Sequence, residues 1–173
     1  VSVADIHIPR VLVKKKSSEI FLVEERDVRD GLPVRPLDAH KHSVGKIFIL
    51  AGSKGLTGAA LLCSQAAMKS GAGAVVLGIP ATVFPTVSRR TLEVMPLALP
   101  ATREGSVALQ ALDDVVKKIT WADVLLLGPG ISQHPETQDF VRRIIATCNK
   151  PMLIDADGLN ALAADCRILN RRK

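Results

Sequence analysis

The sequence has 173 residues, of which 47% are hydrophobic, so one domain with a substantial core is expected and bulk disorder is excluded. The net charge is +6, but six cations lie in two clusters at residues 14–16 and 171–173, and the rest of the chain has 17 basic and 17 acidic residues. With a near-neutral body, one tryptophan and no tyrosine, the chain lacks the basic surface and stacking platforms of nucleic-acid-binding proteins, and we expect no nucleic-acid partner.

The first 40 residues differ in character from the rest. The stretch VSVADIHIP alternates apolar and polar residues and predicts a short strand over residues 1–9. Residues 10–40 are charged and contain two prolines, with a short helix or strand candidate only at residues 19–24, so they predict a linker. The regular pattern that follows predicts a domain over residues 41–173.

Strands and helices alternate in this domain. Four apolar runs without alternation predict strands buried on both faces of a mainly parallel sheet, at residues 46–51, 74–79, 123–128 and 152–156. Two segments between them each place apolar residues on one helical face: Leu109, Leu112, Val116 and Ile119 in the first, and Phe140, Val141, Ile144, Ile145 and Cys148 in the second. This order predicts an α/β fold, a three-layer α/β/α sandwich.

A glycine-rich stretch, AGSKGLTGAALLCSQAAMKSGAG at residues 51–73, follows the first of these strands. Gly58, Ala59 and Ala60 keep bulky side chains away from a helix start, where unpaired N–H groups and the helix dipole attract anions. A pyrophosphate or a ribose could therefore reach the backbone. The stretch matches neither a P-loop, nor a G-x-G-x-x-G fingerprint, nor a G-x-S-x-G elbow. Because tight helix–sheet packing also selects glycine and alanine, both interpretations stay open.

Two further strand exits carry residues of interest. Gly128 and Gly130 in LLLGPGISQHPETQ predict either exposed backbone at the sheet edge or a plain turn, before a helix that starts near Pro135. Asp155 and Asp157 follow the last strand; on a continuing strand they would face one side and could hold a metal or position a hydroxyl group.

A helix cap is the alternative role for Asp157, at the start of a helix over residues 158–164. Asp155, which we expect to be buried at the strand end, is therefore the better functional candidate.

Other polar side chains give no catalytic pattern. His40, His42 and His134 are isolated in predicted loops, and each is expected to be solvated. Ser53 and Thr57 have no base near them in the sequence, so nucleophilic catalysis is not indicated.

Three cysteines, Cys63, Cys148 and Cys166, are widely spaced and form no C-x-x-C pair. They predict buried free thiols in a reducing compartment and no zinc site. No signal peptide is indicated, and the long uncharged run at residues 70–88 is interrupted by two prolines, so no membrane span is expected. We expect a soluble cytoplasmic protein with no membrane partner.

Four motifs in order resemble one family over residues 40–165. They are HKHSVGKIFILAGSKGLTGAALLCSQAAMKSGAGAVVLGIP, EVMPL, DVLLLGPGI and PMLIDADGLNALA, and they resemble the ATP- or ADP-dependent NAD(P)H-hydrate dehydratases, which are ribokinase-like. The N-terminal VADIHIP resembles the last strand of the NAD(P)H-hydrate epimerase domain that precedes the dehydratase in fused proteins. His7 and His42 stand where glycine is usual, and Ser132 replaces the second glycine of a G-P-G-x-G pattern.

The resemblance implies a hydro-lyase that repairs NADH or NADPH after water has added to the nicotinamide ring. Its cofactor would be ATP or ADP, with Mg²⁺, and the phosphoryl group would activate the added hydroxyl as a leaving group. By this resemblance Gly58, Ala59 and Gly130 lie at the site of the hydrated dinucleotide, and Asp155 and Asn160 shape its floor. No metal ligand is implied among these residues.

The family also has a Thr-Pro-His/Asn-x-Glu segment, a Lys-Gly strand and a Gly-x-Gly-Asp motif that carries the catalytic aspartate. None of them follows the fourth motif in this sequence. The resemblance therefore implies the tail of an epimerase domain at residues 1–9, a linker at residues 10–40, and the N-terminal half of a dehydratase domain at residues 41–173. We expect the catalytic aspartate to lie beyond Lys173, the chain alone to be inactive, and the complete protein to be a homo-oligomer.

Two alternatives remain at this point. A ribokinase-like vitamin or sugar kinase would share the fold, although the Asn/Asp pairs typical of sugar kinases are not found near the N-terminus. A non-catalytic nucleotide-binding module is the alternative of a different class.

Overall fold

The computed structural model describes residue 11, residues 22–41 and residues 43–171. The strand predicted over residues 1–9 lies outside the described residues. A first compact unit extends to Pro36 and contains helix α1 (Glu25–Gly31), whose residues are all exposed. The candidate element at residues 19–24 is wrong where it is described, because residues 22–24 are irregular and the helix begins at Glu25, after a capping box between Glu24 and Asp27.

The second unit begins at Leu37 and contains a parallel sheet of five strands in the order β3-β2-β1-β4-β5. The strands are β1 (Lys46–Leu50), β2 (Ala74–Pro80), β3 (Met95–Leu99), β4 (Val124–Leu127) and β5 (Met152–Ile154). Ile49 of the central strand is in register with Leu77 on one side and Leu126 on the other. The four predicted strands are confirmed, with ends that differ by at most two residues. β3 was not predicted, because the short run MPLAL contains a proline, which argues against an interior strand.

Helices cover both faces of the sheet. They are α2 (Thr57–Lys69), α3 (Phe84–Ser88), α4 (Leu112–Trp121), α5 (Pro135–Thr147) and α6 (Asp157–Ala163). Alternate residues of β1 enter different cores: Phe48 and Leu50 join a cluster with residues of α4, α5 and α6, whereas Ile49 joins a cluster with residues of α2 and α3. Two cores on opposite faces of one sheet confirm the predicted three-layer sandwich.

The two predicted helical faces had different outcomes. All five residues predicted on the α5 side are buried. In α4, however, Val116 is 46% exposed, and Val115 occupies the core together with Ile119. The prediction was wrong at Val116 because the segment starts as a 3₁₀ turn at Leu109–Ala111, so spacing counted from Leu109 does not carry the phase of the α-helix.

The three cysteines are free thiols in different environments. Cys148 is buried as predicted, Cys63 is half-buried, and Cys166 is exposed because it opens a 3₁₀ turn at the surface. None of the described helices combines the length and the apolar character needed to cross a membrane.

Candidate functional site

The strand order reverses between β1 and β4. The chain proceeds from β1 to β2 and β3 on one side and then returns to place β4 on the other side of β1. At such a point the segments that leave the two neighbouring strands run in opposite directions and open a crevice at the carboxyl ends of the strands. Here the crevice lies between the β1 loop (residues 51–56) and the β4 loop (residues 128–134).

Hydrogen bonds join these two loops directly. The Gly52 N–H donates to the Pro129 carbonyl oxygen at 2.9 Å, and the Ser53 hydroxyl donates to the Gly130 carbonyl oxygen at 2.9 Å. A Cβ atom added at Gly130 would lie 3.0 Å from the Ala59 Cβ atom. Ala59 and Gly130, which come from two separate sequence motifs, therefore meet at the bottom of the crevice.

The first turn of α2 is open to a ligand at two of its three small residues. Gly58 is exposed, and a Cβ atom added there would have no protein atom within 4 Å; Ala59 is half-buried. The first turn contains no acidic residue and has no side-chain cap. Backbone N–H groups at this end are therefore suited to an anion.

Ala60 has a different position from the one predicted. It is fully buried, and its Cβ atom lies only 2.8 Å from where a Cβ atom at Gly52 would stand. Its side chain therefore packs against the β1 loop at Gly52. Tight helix–sheet packing, which the sequence left open as an alternative, accounts for this alanine.

Gly128 allows β4 and β5 to end side by side. Its φ is +128°, and an added Cβ atom would lie 1.9 Å from the Asp155 carbonyl oxygen and 2.7 Å from the Gly158 nitrogen. No side chain can occupy that space. Gly128 is itself buried, so it serves the contact between the two strand exits, whereas Gly130 is half-buried and faces α2.

The two aspartates after β5 do not lie on a continuing strand, so the prediction that both face one side of it is wrong. The strand ends at Ile154, and Ala156 adopts a positive φ of 49°, which turns the chain into α6. Asp155 is exposed, and the prediction that it is buried was wrong, because β5 is an edge strand among the described residues.

Asp157 links the β4 loop to α6. Its carboxylate accepts hydrogen bonds from the Ser132 N–H at 3.1 Å, the Gln133 Nε2 at 3.2 Å and the Asn160 Nδ2 at 3.0 Å. It does not cap the helix, whose N-cap residue is Ala156. The exposed Asn160 is thus tied to Asp157 on the outer side of α6.

The carboxylate of Asp155 acts across to α2. Burial raises the pKa of the Cys63 thiol, and the negative charge of Asp155 raises it further by a smaller amount.

A third wall, the β3 loop (residues 100–108), was not predicted. The Lys54 N–H donates to the Gly105 carbonyl oxygen at 2.9 Å, which joins the β3 loop to the β1 loop. Buried hydroxyl groups hold the interior of the β3 loop. The hydroxyl oxygens of Thr102 and Ser106 are 2.9 Å apart, and the Thr137 hydroxyl oxygen lies 2.7 Å from that of Ser106. The signal in the sequence was a pair of hydroxyl residues on either side of a short charged turn with a glycine, in TREGS.

The expectation that His134 is a solvated loop residue is wrong. Its Nε2 lies 3.3 Å from a carboxylate oxygen of Glu104, and its side chain is 27% exposed. Within the described ranges its Nδ1 is buried and has no hydrogen-bond partner. The pair connects the β4 loop to the β3 loop, so three loops form one continuous rim.

The arrangement is one for binding rather than for nucleophilic attack. Ser53, the only serine of the β1 loop, donates its hydroxyl hydrogen to the Gly130 carbonyl oxygen, and no titratable side chain among the described residues forms a hydrogen bond with it. Among residues 22–41 and 43–171, no group of three or more His, Cys, Asp or Glu side chains is placed to hold a metal ion. What the crevice offers is glycine and alanine backbone at a helix start, which suits a phosphorylated ligand.

Comparison with known proteins identifies the family. The sequence model of the family described as NAD(P)H-hydrate dehydratase matches residues 47–173. The chain belongs to the NAD(P)H-hydrate dehydratase family. All the loops of the crevice lie within the matched residues.

Individual relatives agree with this family. A bifunctional NAD(P)H-hydrate repair enzyme of Moorella thermoacetica is 40% identical over 167 residues, which cover 96% of this chain and 32% of that protein. The ADP-dependent (S)-NAD(P)H-hydrate dehydratase of Bacillus subtilis is 33% identical over 139 residues, covering 78% of this chain and 45% of that protein. The chain therefore spans less than half the length of either relative.

A solved structure supports the fold as well. The ADP/ATP-dependent NAD(P)H-hydrate dehydratase of Bacillus subtilis, co-crystallised with ATP and Mg²⁺, superimposes with a TM-score of 0.60 at 29% identity. The match covers 79% of this chain and 46% of that one. The described sheet thus corresponds to part of a larger domain in that relative.

Proposed function

We propose that the crevice binds hydrated NADH or NADPH, and that this chain supplies the dinucleotide-binding part of an ADP- or ATP-dependent NAD(P)H-hydrate dehydratase. The observation that carries the proposal is the open first turn of α2, where Gly58 is exposed and an added Cβ atom would have no protein atom within 4 Å. Membership of the family and the names of the relatives support the choice of ligand.

The residues of the chain would act by positioning. Gly58 and Ala59 let a phosphate or ribose approach the N–H groups of α2, where the helix dipole favours a negative charge. Gly130 lets the β4 loop pack closely against the helix start, since an added Cβ atom would lie 3.0 Å from the Cβ atoms of both Ala59 and Leu56. Asp157 holds the β4 loop in place through Ser132, so the width of the crevice stays constant.

The phosphoryl donor, when bound, converts the added hydroxyl of the hydrated ring into a leaving group. We propose ATP or ADP as this donor, with Mg²⁺, because the Bacillus subtilis dehydratase is ADP/ATP-dependent and was co-crystallised with ATP and Mg²⁺. We assign no residue of this chain to the donor or to the metal ion. Asp155 and Asn160 are proposed only as the outer edge of the dinucleotide site, since both are exposed.

The domain organisation is a proposal of the same kind. We infer that residues 1–9 end an epimerase-like domain, that residues 10–40 link it to the dehydratase part, and that residues 41–173 are that part's first half. The bifunctional name of the Moorella thermoacetica relative supports this division. We also propose that the protein is cytoplasmic and that it forms a homo-oligomer. Sedimentation analysis of the purified protein tests the oligomeric state.

Replacing Ala59 by Leu tests the binding site. The larger side chain would cover the helix start or displace the β4 loop at Gly130, and it should weaken the binding of NADPH hydrate by about tenfold or more, measured by calorimetry on the purified chain. Ala66→Leu is the matched control, because Ala66 is exposed further along the same helix. Circular dichroism shows whether each variant keeps its fold. Unchanged affinity in a folded Ala59→Leu variant, or no binding by the unaltered chain, would refute the proposal.

A chimera tests the link to catalysis. Residues 40–165 of this chain replace the aligned segment of the Bacillus subtilis dehydratase, and recovery of NADPH absorbance from NADPH hydrate is followed with ADP or ATP. We expect turnover that Ala59→Leu lowers and Ala66→Leu leaves unchanged. A folded chimera that binds NADPH hydrate but gives no turnover would contradict the dehydratase assignment.

A further inference from the structure

Two exposed cations lie in adjoining loops of the rim, Lys54 in the β1 loop and Arg103 in the β3 loop. The backbone N–H of Lys54 donates to the Gly105 carbonyl oxygen at 2.9 Å, and the Gly105 N–H donates to the Thr102 carbonyl oxygen at 3.1 Å. The second bond closes the tight turn that carries Arg103. The two side chains therefore start from backbone segments that are hydrogen-bonded to each other.

Packing restricts where the Lys54 side chain can lie. A Cβ atom added at Gly105 would meet the Lys54 Cβ atom at 2.7 Å and its Cδ atom at 3.3 Å. The aliphatic part of the lysine thus lies along Gly105, whose φ of +85° favours glycine. The aliphatic part of the lysine is held against the β3 loop, and the residue is exposed.

The β3 loop is a firm support for the second cation. Thr102 and Ser106 are buried on either side of the turn and share a hydrogen bond, and Thr137 of α5 reaches the same hydroxyl group. Arg103 lies at the tip of this turn and is exposed. The buried hydrogen bonds of Thr102, Ser106 and Thr137 hold the backbone that carries it.

The β1 and β3 loops together contain two cations, Lys54 and Arg103, and one acid, Glu104. The other nearby acids, Asp155 and Asp157, follow β5, which lies on the far side of β4 from these two loops. The carboxylate of Glu104 lies against His134, at 3.3 Å from its Nε2. Within residues 22–41 and 43–171, neither Lys54 nor Arg103 forms an ion pair through its side chain. Both exposed cations are therefore available to an anion from solution.

We propose that Lys54 and Arg103 bind the 2′-phosphate of the dinucleotide, so that the crevice prefers NADPH hydrate to NADH hydrate. This inference rests on the proposed function and adds its substrate preference. A 2′-phosphate is a dianion near neutral pH, and an arginine beside a lysine supplies a planar donor and a point charge. The pyrophosphate of the same ligand has another partner, the start of α2, so the rim cations are left for the remaining phosphate group.

The test compares two ligand pairs. Binding of NADPH hydrate and NADH hydrate is measured by calorimetry for the unaltered chain, Lys54→Gln, Arg103→Gln and the double variant. Adenosine 2′,5′-bisphosphate and AMP form the second pair, which differs only by the 2′-phosphate. Lys69→Gln and Arg90→Gln are the matched controls, because both residues are exposed cations on the opposite edge of the sheet.

We expect each rim variant to weaken the binding of NADPH hydrate about tenfold and that of NADH hydrate less than about twofold, with the controls unchanged. The preference of the unaltered chain should also decline as salt is added, because exposed charges are screened. An equal loss for both hydrates would place the cations on the pyrophosphate, and no loss would make them solvated surface residues; either result overturns the proposal.

Failure of the proposed function gives a different result. If neither hydrate binds the unaltered chain, the assignment of the crevice to hydrated dinucleotides falls. The 2′-phosphate proposal is then judged by the second pair alone: it stands if the bisphosphate binds more tightly than AMP and the rim variants remove the difference, and it falls otherwise.

Discussion

Replacing Gly58 by Ala should raise the stability of the protein and lower its affinity for the dinucleotide. Gly58 is the second residue of α2, and an added Cβ atom has no protein atom within 4 Å. Alanine in a helix is more stable than glycine by about 0.5–1 kcal/mol, because glycine loses more backbone entropy on folding. For a domain of this size that gain corresponds to a rise in Tm of about 1–4 °C.

The effect on binding has the opposite sign. The space that is empty of protein atoms at Gly58 is the space we assign to the phosphate or ribose of the ligand. A hydrogen bond to a charged group contributes about 1.5–3 kcal/mol, so a methyl group that keeps a phosphate from the backbone should weaken binding about tenfold or more.

Urea unfolding followed by circular dichroism measures the first effect, and calorimetry with NADPH hydrate measures the second. Gln65→Ala is the control, because Gln65 is exposed on α2 and lines a separate surface cavity with Lys69 and Arg90, away from the first turn of the helix. It should leave binding unchanged. Higher stability with unchanged affinity would refute the assignment of this helix start to the ligand. Lower stability would show that the first turn of α2 is not helical at Gly58.

Three other changes test the loops around the crevice. Ser132 has a φ of 92°, so Ser132→Gly should be more stable than Ser132→Ala by about 1 kcal/mol in urea unfolding, since both lose the hydroxyl and only alanine keeps the strain; equal stability would contradict the strain. Thr137→Val should destabilise by about 1–3 kcal/mol, because the buried Ser106 hydroxyl and the Val107 carbonyl oxygen both lose the Thr137 hydroxyl as a hydrogen-bond partner; a change near zero would show that the hydroxyl cluster does not hold the loop. The pKa of Cys63 lies above its ordinary 9.0, so the stability it contributes is complete below about pH 9 and declines as the pH rises through the raised value. Asp155→Asn should lower that pKa and speed the alkylation of Cys63 by iodoacetamide at about pH 8, and an unchanged rate would show that the carboxylate does not act on the thiol.

The local pattern of the sequence was sufficient for the strands and for one helix. Short apolar runs without alternation predict strands buried on both faces, and β1, β2, β4 and β5 all lie where such runs occur. The face of α5 was also predictable, since its five core positions follow the helical period from a clear start at Pro135. Local patterns fail where the backbone changes type, as in the 3₁₀ turn before α4, which moved Val116 out of the core.

The sequence by itself also determined the family and the small residues of the site. Glycine and alanine at a helix start leave its backbone N–H groups accessible in whatever fold they occur. Only the tertiary structure decided which of them share the crevice. Ala59 meets Gly130 because β1 and β4 are neighbours in the sheet, whereas Ala60, the next residue of the helix, faces Gly52 and the core. The exposure of Asp155 and the joining of the β3 loop to Lys54 likewise depend on which strands and loops are adjacent, and that adjacency is a property of the sheet order and not of any local stretch of residues.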